Sequence, residues 1–200
     1  MSRDDEWIEP EDAGLRLLLF LADDGEPEGL AEVLSSGVFA GVVARGSRER
    51  LAGLLRTCRA APCALLAAGD IELALSAGLD GVHVGASGVA EARRRLGEGR
   101  LVGAEAHGSR HEAMVAGEAG ADYVSFRAGT LDRLVELVGW WSEISVLPCA
   151  AAGSMTPDMV LPLAEAGAGL FGVGPSTSMA DLGRLVEAVQ AAEASIRNGR

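Results

Sequence analysis

A short phrase recurs along this chain, and its spacing restricts the available folds more than any other feature. Ala77–Gly85 reads AGLDGVHVG: a glycine suited to the left-handed end of a helix, then a β-rich run closing on a second glycine. The phrase recurs from Gly37 (GVFAGVVARG), Gly120 (GADYVSFRAG) and Gly167 (GAGLFGVG), so successive copies start 41, 42 and 47 residues apart. Self-similarity at a near-constant period is a stronger guide to architecture than local propensity. A period of this length is too long for one strand–helix unit and fits two. Four such pairs supply the eight strands and eight helices of a (β/α)8 TIM barrel.

The remaining segments fit that inventory. Leu15–Ala22 (LRLLLFLA) is almost continuously apolar, as a parallel strand covered on both faces should be. Further strands are predicted at Ala40–Ala44, Cys63–Ala67, Gly81–Val84, Leu101–Ala106, Asp122–Phe126, Val146–Ala151 and Leu170–Val173. Helices are predicted over Pro27–Ser36, Ser47–Arg59, from an Asp70 cap to Ala77, and over Val89–Leu96 with Arg93, Arg94 and Arg95 on its exposed face. Ser109 and Glu112 have capping-box spacing for a helix to Ala119. Leu131–Trp141 follows, then Thr156 as N-cap with Pro157 at the first helical position of a helix to Ala166, then a last helix from about Ala180 to Ile196. Residues 1–13 are polar and acidic and are expected to form a loose arm. No linker divides the rest, so residues 1–200 are expected to form one barrel domain.

Composition excludes several functions. The net charge is −12, and every one of the 17 basic residues is arginine. Without lysine there is no Schiff-base chemistry. The acidic balance argues against nucleic acid as a partner. No apolar run is long enough for a bilayer, and the acidic start does not resemble a signal peptide. Cys58, Cys63 and Cys149 sit in or beside apolar runs without metal-ligand spacing, which fits reduced thiols in a cytoplasmic protein.

Barrels of this type place their site at the C-terminal ends of the strands. Those ends offer Asp23 and Asp24, Arg45, His83, Glu105 with His107, Arg127, Gly153-Ser154, and Gly172–Ser176. Side chains alternate between interior and helix layer. Val82 and Val84 suit the helix side, so His83 points inward. Glu105 and His107 share a parity, as do Ser125 and Arg127, and adjacent strands could gather one His, one Glu and one Arg at the mouth. A plainer alternative is mutual neutralisation of Glu105 and Arg127 in a polar core, with His83 a hydrogen-bonded core histidine and His107 only a loop residue. For Asp23 and Asp24 a solvated acidic turn is the better reading than a metal site.

The ends of strands 7 and 8 carry the more specific signal. Gly153-Ser154 precedes a helix start, and Gly172, Gly174 and Ser176 follow strand 8. Backbone N–H groups and a helix N-terminus there form phosphate sites, and glycine lets the backbone come close. The alternative is that these glycines only make tight turns.

These stretches resemble the thiamin phosphate synthase family, which includes the TenI thiazole tautomerase branch. AGLDGVHVG is similar to its AGADGVHLGQ, LVGAEAHGSRHEA to IGVSAHTLEEA, AGADYVSF to GADYVGFG, and LPCAAAGSMTPDMV to IPVVAIGGITPENV. The resemblance implies the barrel and a link to thiamin biosynthesis. The family's synthase joins a pyrimidine diphosphate to a thiazole phosphate with Mg²⁺ and expels pyrophosphate. The resemblance places Arg45 as the one survivor of a Q-x-R-x-K run, here Val43-Ala44-Arg45-Gly46-Ser47. Where the family has N-D-R, this chain has Ala67-Ala68-Gly69, with Asp70 one residue later. Ala86-Ser87-Gly88 stands at the glutamine and metal-binding aspartate, and Glu105 at a serine. The family's strand 6 lysine has no counterpart, the tautomerase histidine position reads Arg127-Ala128, and Gly153 is kept while the next glycine is Ser154. The family thus implies Mg²⁺, but its ligands are replaced, so no cofactor and no metal site are expected.

Three functional readings follow. One is a synthase-like barrel binding a phosphorylated small molecule, without full Mg²⁺-dependent synthase activity. Another is a diverged enzyme on a different phosphorylated small molecule, using Glu105 with His83 or His107. The third is a non-catalytic paralogue that binds a ligand or a protein partner; a homodimer is an expectation for any of them. An open mouth lined by the Glu/His/Arg group favours an enzyme; a paired and plugged one favours a structural or binding role.

Overall fold

Parallel strands alternating with helices pair in chain order and close on themselves in the computed structural model, which describes residues 14–22 and 28–199. The strands are β1 (Arg16–Phe20), β2 (Phe39–Ala44), β3 (Ala64–Ala68), β4 (Gly81–Gly85), β5 (Leu101–Glu105), β6 (Tyr123–Arg127), β7 (Cys149–Gly153) and β8 (Leu170–Val173). The helices are α1 (Leu30–Leu34), α2 (Arg48–Arg59), α3 (Ile71–Ser76), α4 (Val89–Leu96, entered through a 3₁₀ turn at Ala86–Gly88), α5 (Arg110–Glu118), α6 (Leu131–Ile144), α7 (Pro157–Glu165) and α8 (Met179–Asn198). Register between β1 and β8, with Arg16 opposite Leu170 and Leu19 opposite Val173, closes the barrel. The fold is a (β/α)8 TIM barrel, and the four repeated phrases supply β2, β4, β6 and β8.

Alternation along the strands builds two cores. Leu17, Val42, Val82, Val102, Val124 and Phe171 face outward and are buried beneath the helices. Each such apolar side chain contributes roughly 1.5–3 kcal/mol of burial free energy. Leu18, Val43, Leu66, Tyr123 and Ala150 fill the interior. Interior glycines make room for the larger members. A Cβ on Gly103 would overlap the Tyr123 ring, and one on Gly172 would stand 2.6 Å from Ala152 Cβ and 3.1 Å from Phe20 Cε2.

The helices start just above the strand ends, and side-chain caps hold their first turns. Ser47, Asp70, Ser109, Thr130 and Ser178 each accept from a backbone N–H three residues on. Thr156 is the N-cap of α7 with Pro157 in its first turn, but its hydroxyl makes no cap bond. At the opposite rim the repeated phrase has a second use. Asp80 Oδ2 accepts from Leu65 N–H at 2.8 Å, and Asp122, one repeat later, accepts from Val102 N–H at 2.6 Å. Each carboxylate thereby ties its own strand to the start of the preceding one.

Several expectations need correction. Arg93 is not on an exposed face: only 13% of its side chain is accessible, and it ion-pairs with Asp122 at 2.6 Å while donating to the Gly97, Arg100 and Gly120 carbonyls. Its partners are at the lower ends of neighbouring strands, which helical periodicity does not reveal. The seventh strand starts at Cys149, not Val146: Pro148 has no N–H for a ladder, and Val146 is fully exposed. The first strand is shorter than its apolar run, and α1 spans only Leu30–Leu34. The expected arm at residues 1–13, Pro27 and the Asp23-Asp24 turn lie outside the described residues.

Candidate functional site

A cavity of about 1170 Å³ opens at the C-terminal ends of the strands. Its described wall includes Arg45, His83, Glu105, His107, Arg127, Gly153, Ser154, Gly172, Gly174 and Ser176, all named from the strand ends.

Glu105 is the last residue of β5 and turns inward with Leu101 and Gly103 of the same parity. Its carboxylate accepts from Arg127 Nη2 at 3.2 Å through Oε2 and from the His107 peptide N–H at 3.1 Å through Oε1. His83 Nε2 stands 3.9 Å from Oε2, outside hydrogen-bond reach. Burial raises the Glu105 pKa, but the neighbouring His83 imidazole, the Arg127 guanidinium and the His107 N–H together outweigh it, and the carboxyl lies below the usual carboxylate range. The predicted pairing of Glu105 with Arg127 is thus present, though not as a sealed one. Glu105 is 13% accessible, while Arg127 is 53% accessible and reaches over the mouth.

His107 departs from the shared parity with Glu105 and follows the alternative reading, a loop residue. The strand ends at Glu105, and His107 takes a left-handed conformation with φ 48°, the one described non-glycine residue to do so. Its ring is swung into solvent, with Nδ1 3.7 Å from Glu105 Oε1, and the residue acts chiefly through its backbone. Besides its N–H to Glu105, its carbonyl accepts from Arg127 N–H at 2.7 Å. The parity argument fails here because it holds only while the chain stays extended.

His83 is buried at the cavity floor, as its parity requires. Its ring packs edge-on to Phe20, with centroids 5.2 Å apart, and stacks on Tyr123 at 5.7 Å. Tyr123 Oη lies 2.9 Å from His83 Nδ1. Sequence reasoning passed over Tyr123, although it shares its parity with Arg127 and its position in the repeat with Gly81, two residues before His83. Burial pushes its phenol far above the ordinary value, with the Glu105 and Asp122 charges adding to the effect.

The opposite wall is built by the ends of β7 and β8. Gly153 has φ 145°, a conformation that favours glycine, and a Cβ on Gly174 would lie 3.7 Å from the Gly153 carbonyl, so the two turns close on one corner. Ser154 and Ser176 are exposed there, beside Thr156 and Pro157 at the start of α7. The unused Thr156 hydroxyl and the N-terminal peptide groups of α7 suit an anion. Asp181, in the first turn of α8, also lines the cavity, but its carboxylate accepts from the Ser178 hydroxyl at 2.6 Å and pairs with Arg184. Those partners hold its pKa low. Arg45 is exposed on the rim at the end of β2.

Comparison with known proteins agrees with this architecture. A family profile described as thiamine monophosphate synthase matches residues 42–174. A thiamine-phosphate synthase of Erythrobacter litoralis is 41% identical over 143 residues, covering 66% of this chain and 67% of that protein. One of Rhodospirillum centenum is 40% identical over 134 residues, covering 58% and 65%, and one of Hyphomonas neptunium is 36% identical over 165 residues, covering 72% and 75%. The fold matches that of a thiamine phosphate pyrophosphorylase from Pyrococcus furiosus with a TM-score of 0.73 at 19% identity, covering 89% of this chain and 96% of that one. The repeat, the closed barrel and the extent of these matches together show that the chain belongs to the thiamine monophosphate synthase family.

Proposed function

We propose that this chain binds a phosphorylated small molecule in its upper cavity, with the phosphate at the β7–β8 corner, and does so without full Mg²⁺-dependent thiamine phosphate synthesis. The observation that carries this reading is the convergence of the Gly153-Ser154 turn, the Gly172–Ser176 turn and the start of α7 on one wall of an open cavity. Glycine turns admit close approach of a phosphate, and the helix start favours its charge.

The family's reaction implies Mg²⁺, and the residues described here do not fit it. Mg²⁺ takes carboxylate oxygens together with substrate phosphates. Among the described residues no cluster of three or more His, Cys, Asp or Glu groups could hold a metal. Of the described carboxylates lining the cavity, Glu105 is engaged by Arg127 and Asp181 by Ser178 and Arg184. Asp70 caps α3 through Leu73 N–H at 2.8 Å. Among the described lining residues, Arg45 on the rim and the half-exposed Arg127, beyond its contact with Glu105, supply the guanidinium charge that balances a phosphate.

A second reading, a diverged enzyme using Glu105 as acid or base with His83 or His107, draws support from one observation. The Glu/His/Arg group is paired but does not plug the mouth, and the Glu105 carboxylate, kept anionic, faces open cavity beside His83. A plugged core would instead have supported a purely structural paralogue. In this reading the carboxylate accepts a proton from a bound ligand, and Arg127 steadies the charge before transfer.

Calorimetric titration of the purified chain with inorganic phosphate and with small phosphate esters tests the first reading. Saturable binding that weakens at least tenfold in Ser154→Asp is expected; absence of binding in the unaltered chain overturns it. Turnover of the pyrimidine diphosphate and thiazole phosphate pair with Mg²⁺ at an ordinary enzymatic rate, ~1 s⁻¹ or more, would overturn the claim about synthesis.

A further inference from the structure

The floor of the cavity contains a buried donor–acceptor arrangement that the phosphate reading does not use. His83 Nε2 is buried and has no hydrogen-bond partner among the described residues, and it lies 3.9 Å from Glu105 Oε2. A buried polar atom left unpaired in this way is uncommon and calls for a reason. The imidazole's other nitrogen, Nδ1, lies 2.9 Å from Tyr123 Oη. That contact has two possible polarities. If Nδ1–H donated to the tyrosine oxygen, the phenolic hydrogen would be left buried without an acceptor, because Oη makes no other hydrogen bond among the described residues. If Tyr123 donates to Nδ1, the phenol is satisfied and the imidazole proton resides on Nε2. The Glu105 charge acts in the same direction, since a carboxylate favours N–H rather than a lone pair on the nitrogen that faces it.

We infer that Tyr123 is a positioning residue that fixes His83 as its Nε2–H tautomer, so that the cavity floor presents a donor on His83 directly beside the acceptor of Glu105. The inference rests on the cavity being the ligand site. Two features hold the tyrosine in place. Gly103 lacks the Cβ that would overlap its ring, and the stacking of the two rings sets the direction of the hydroxyl. A ligand hydroxyl can accept from one group and donate to the other, closing a gap too long for a direct bond. Reversing the tautomer would present two acceptors side by side, and a single hydroxyl, with one hydrogen, could satisfy only one of them.

Nitrogen NMR of the full chain labelled with ¹⁵N in its histidine rings tests this directly. The chain has three histidines, and His83→Gln assigns the signal. The expected spectrum of the unaltered protein shows a protonated Nε2 and an unprotonated, hydrogen-bonded Nδ1 for His83. Tyr123→Phe should raise the Nδ1–H fraction measurably, the Glu105 charge keeping the rest as Nε2–H, while circular dichroism is unchanged. A proton on Nδ1 in the unaltered protein, or the same tautomer population in Tyr123→Phe, overturns the inference. Should Tyr123→Phe fail to fold, the spectrum of the unaltered protein still decides the tautomer. Failure of phosphate binding would leave these spectra as they are, so the two readings fail separately.

Discussion

The Glu105 side chain is only 13% accessible, yet its charged partner Arg127 is half in water, and that asymmetry determines what the pair contributes. A fully buried ion pair loses ~3–5 kcal/mol when one partner is removed. Solvent screens Arg127, so Glu105→Gln is expected to cost only ~1 kcal/mol in urea melts, with measurable but modest coupling to Arg127→Met. Because the native Glu105 pKa is depressed, its stabilisation is present above the unfolded carboxylate value of ~4.3 and is lost as pH falls through the lower native value. Stability measured from pH 7 down to pH 3 should therefore fall less steeply in Glu105→Gln. Tyr123 behaves oppositely. It is the chain's single tyrosine, and its raised pKa means that the unfolded chain ionises first, at ~10. Its contribution is complete below that pH and is lost as pH rises further. Tyrosinate absorbance should appear together with alkaline unfolding and not before it, and Tyr123→Phe should be less sensitive to alkali. Strand parity located His83, Glu105 and Arg127 in the sequence. For His107 the plainer alternative, a loop residue, is the one that holds, because parity lapses where the chain turns left-handed.

Within the elements, glycines of one strand have different roles. A Cβ on Gly81 would overlap the Leu101 backbone, whereas Gly85 has nothing within 4 Å. Gly81→Ala should destabilise by ~1–3 kcal/mol or more, the usual cost of forcing atoms into a packed core, and Gly85→Ala should be close to neutral by thermal melting. The Asp122 carboxylate satisfies both Val102 N–H and Arg93. Asp122→Ala should therefore cost ~1.5–3 kcal/mol, more than removal of an exposed ion pair such as that of Arg95 with Glu72. Helix positions could be read from caps and apolar spacing. Two features could not. Pro148 delayed β7 past an apolar start, and Arg93 found partners on neighbouring strands, a tertiary contact that a helical wheel does not contain.

For the whole molecule, the strand number was legible in the period of the repeated phrase, because four double units spaced 41, 42 and 47 residues apart supply eight strands and eight helices, the inventory of the barrel. The ligand was far less legible: the same frame supports many chemistries, and the groups that decide among them are single residues at loop ends. The absence of a suitable carboxylate set among the described residues gives one prediction at this scale. Phosphate affinity should be unchanged when EDTA replaces Mg²⁺ in the titration; a clear gain with Mg²⁺ would contradict the arginine-based site.

The aspartates that recur with the repeat, Asp80 and Asp122, knit the lower rim, while the residues that line the cavity belong to the upper one. Among the described residues the two ends share no side chain in these roles. A lineage can therefore alter the upper residues without loosening the lower joints, and selection for a new ligand meets little resistance from selection for a folded chain. Inheritance of the frame and inheritance of the reaction thereby become separable.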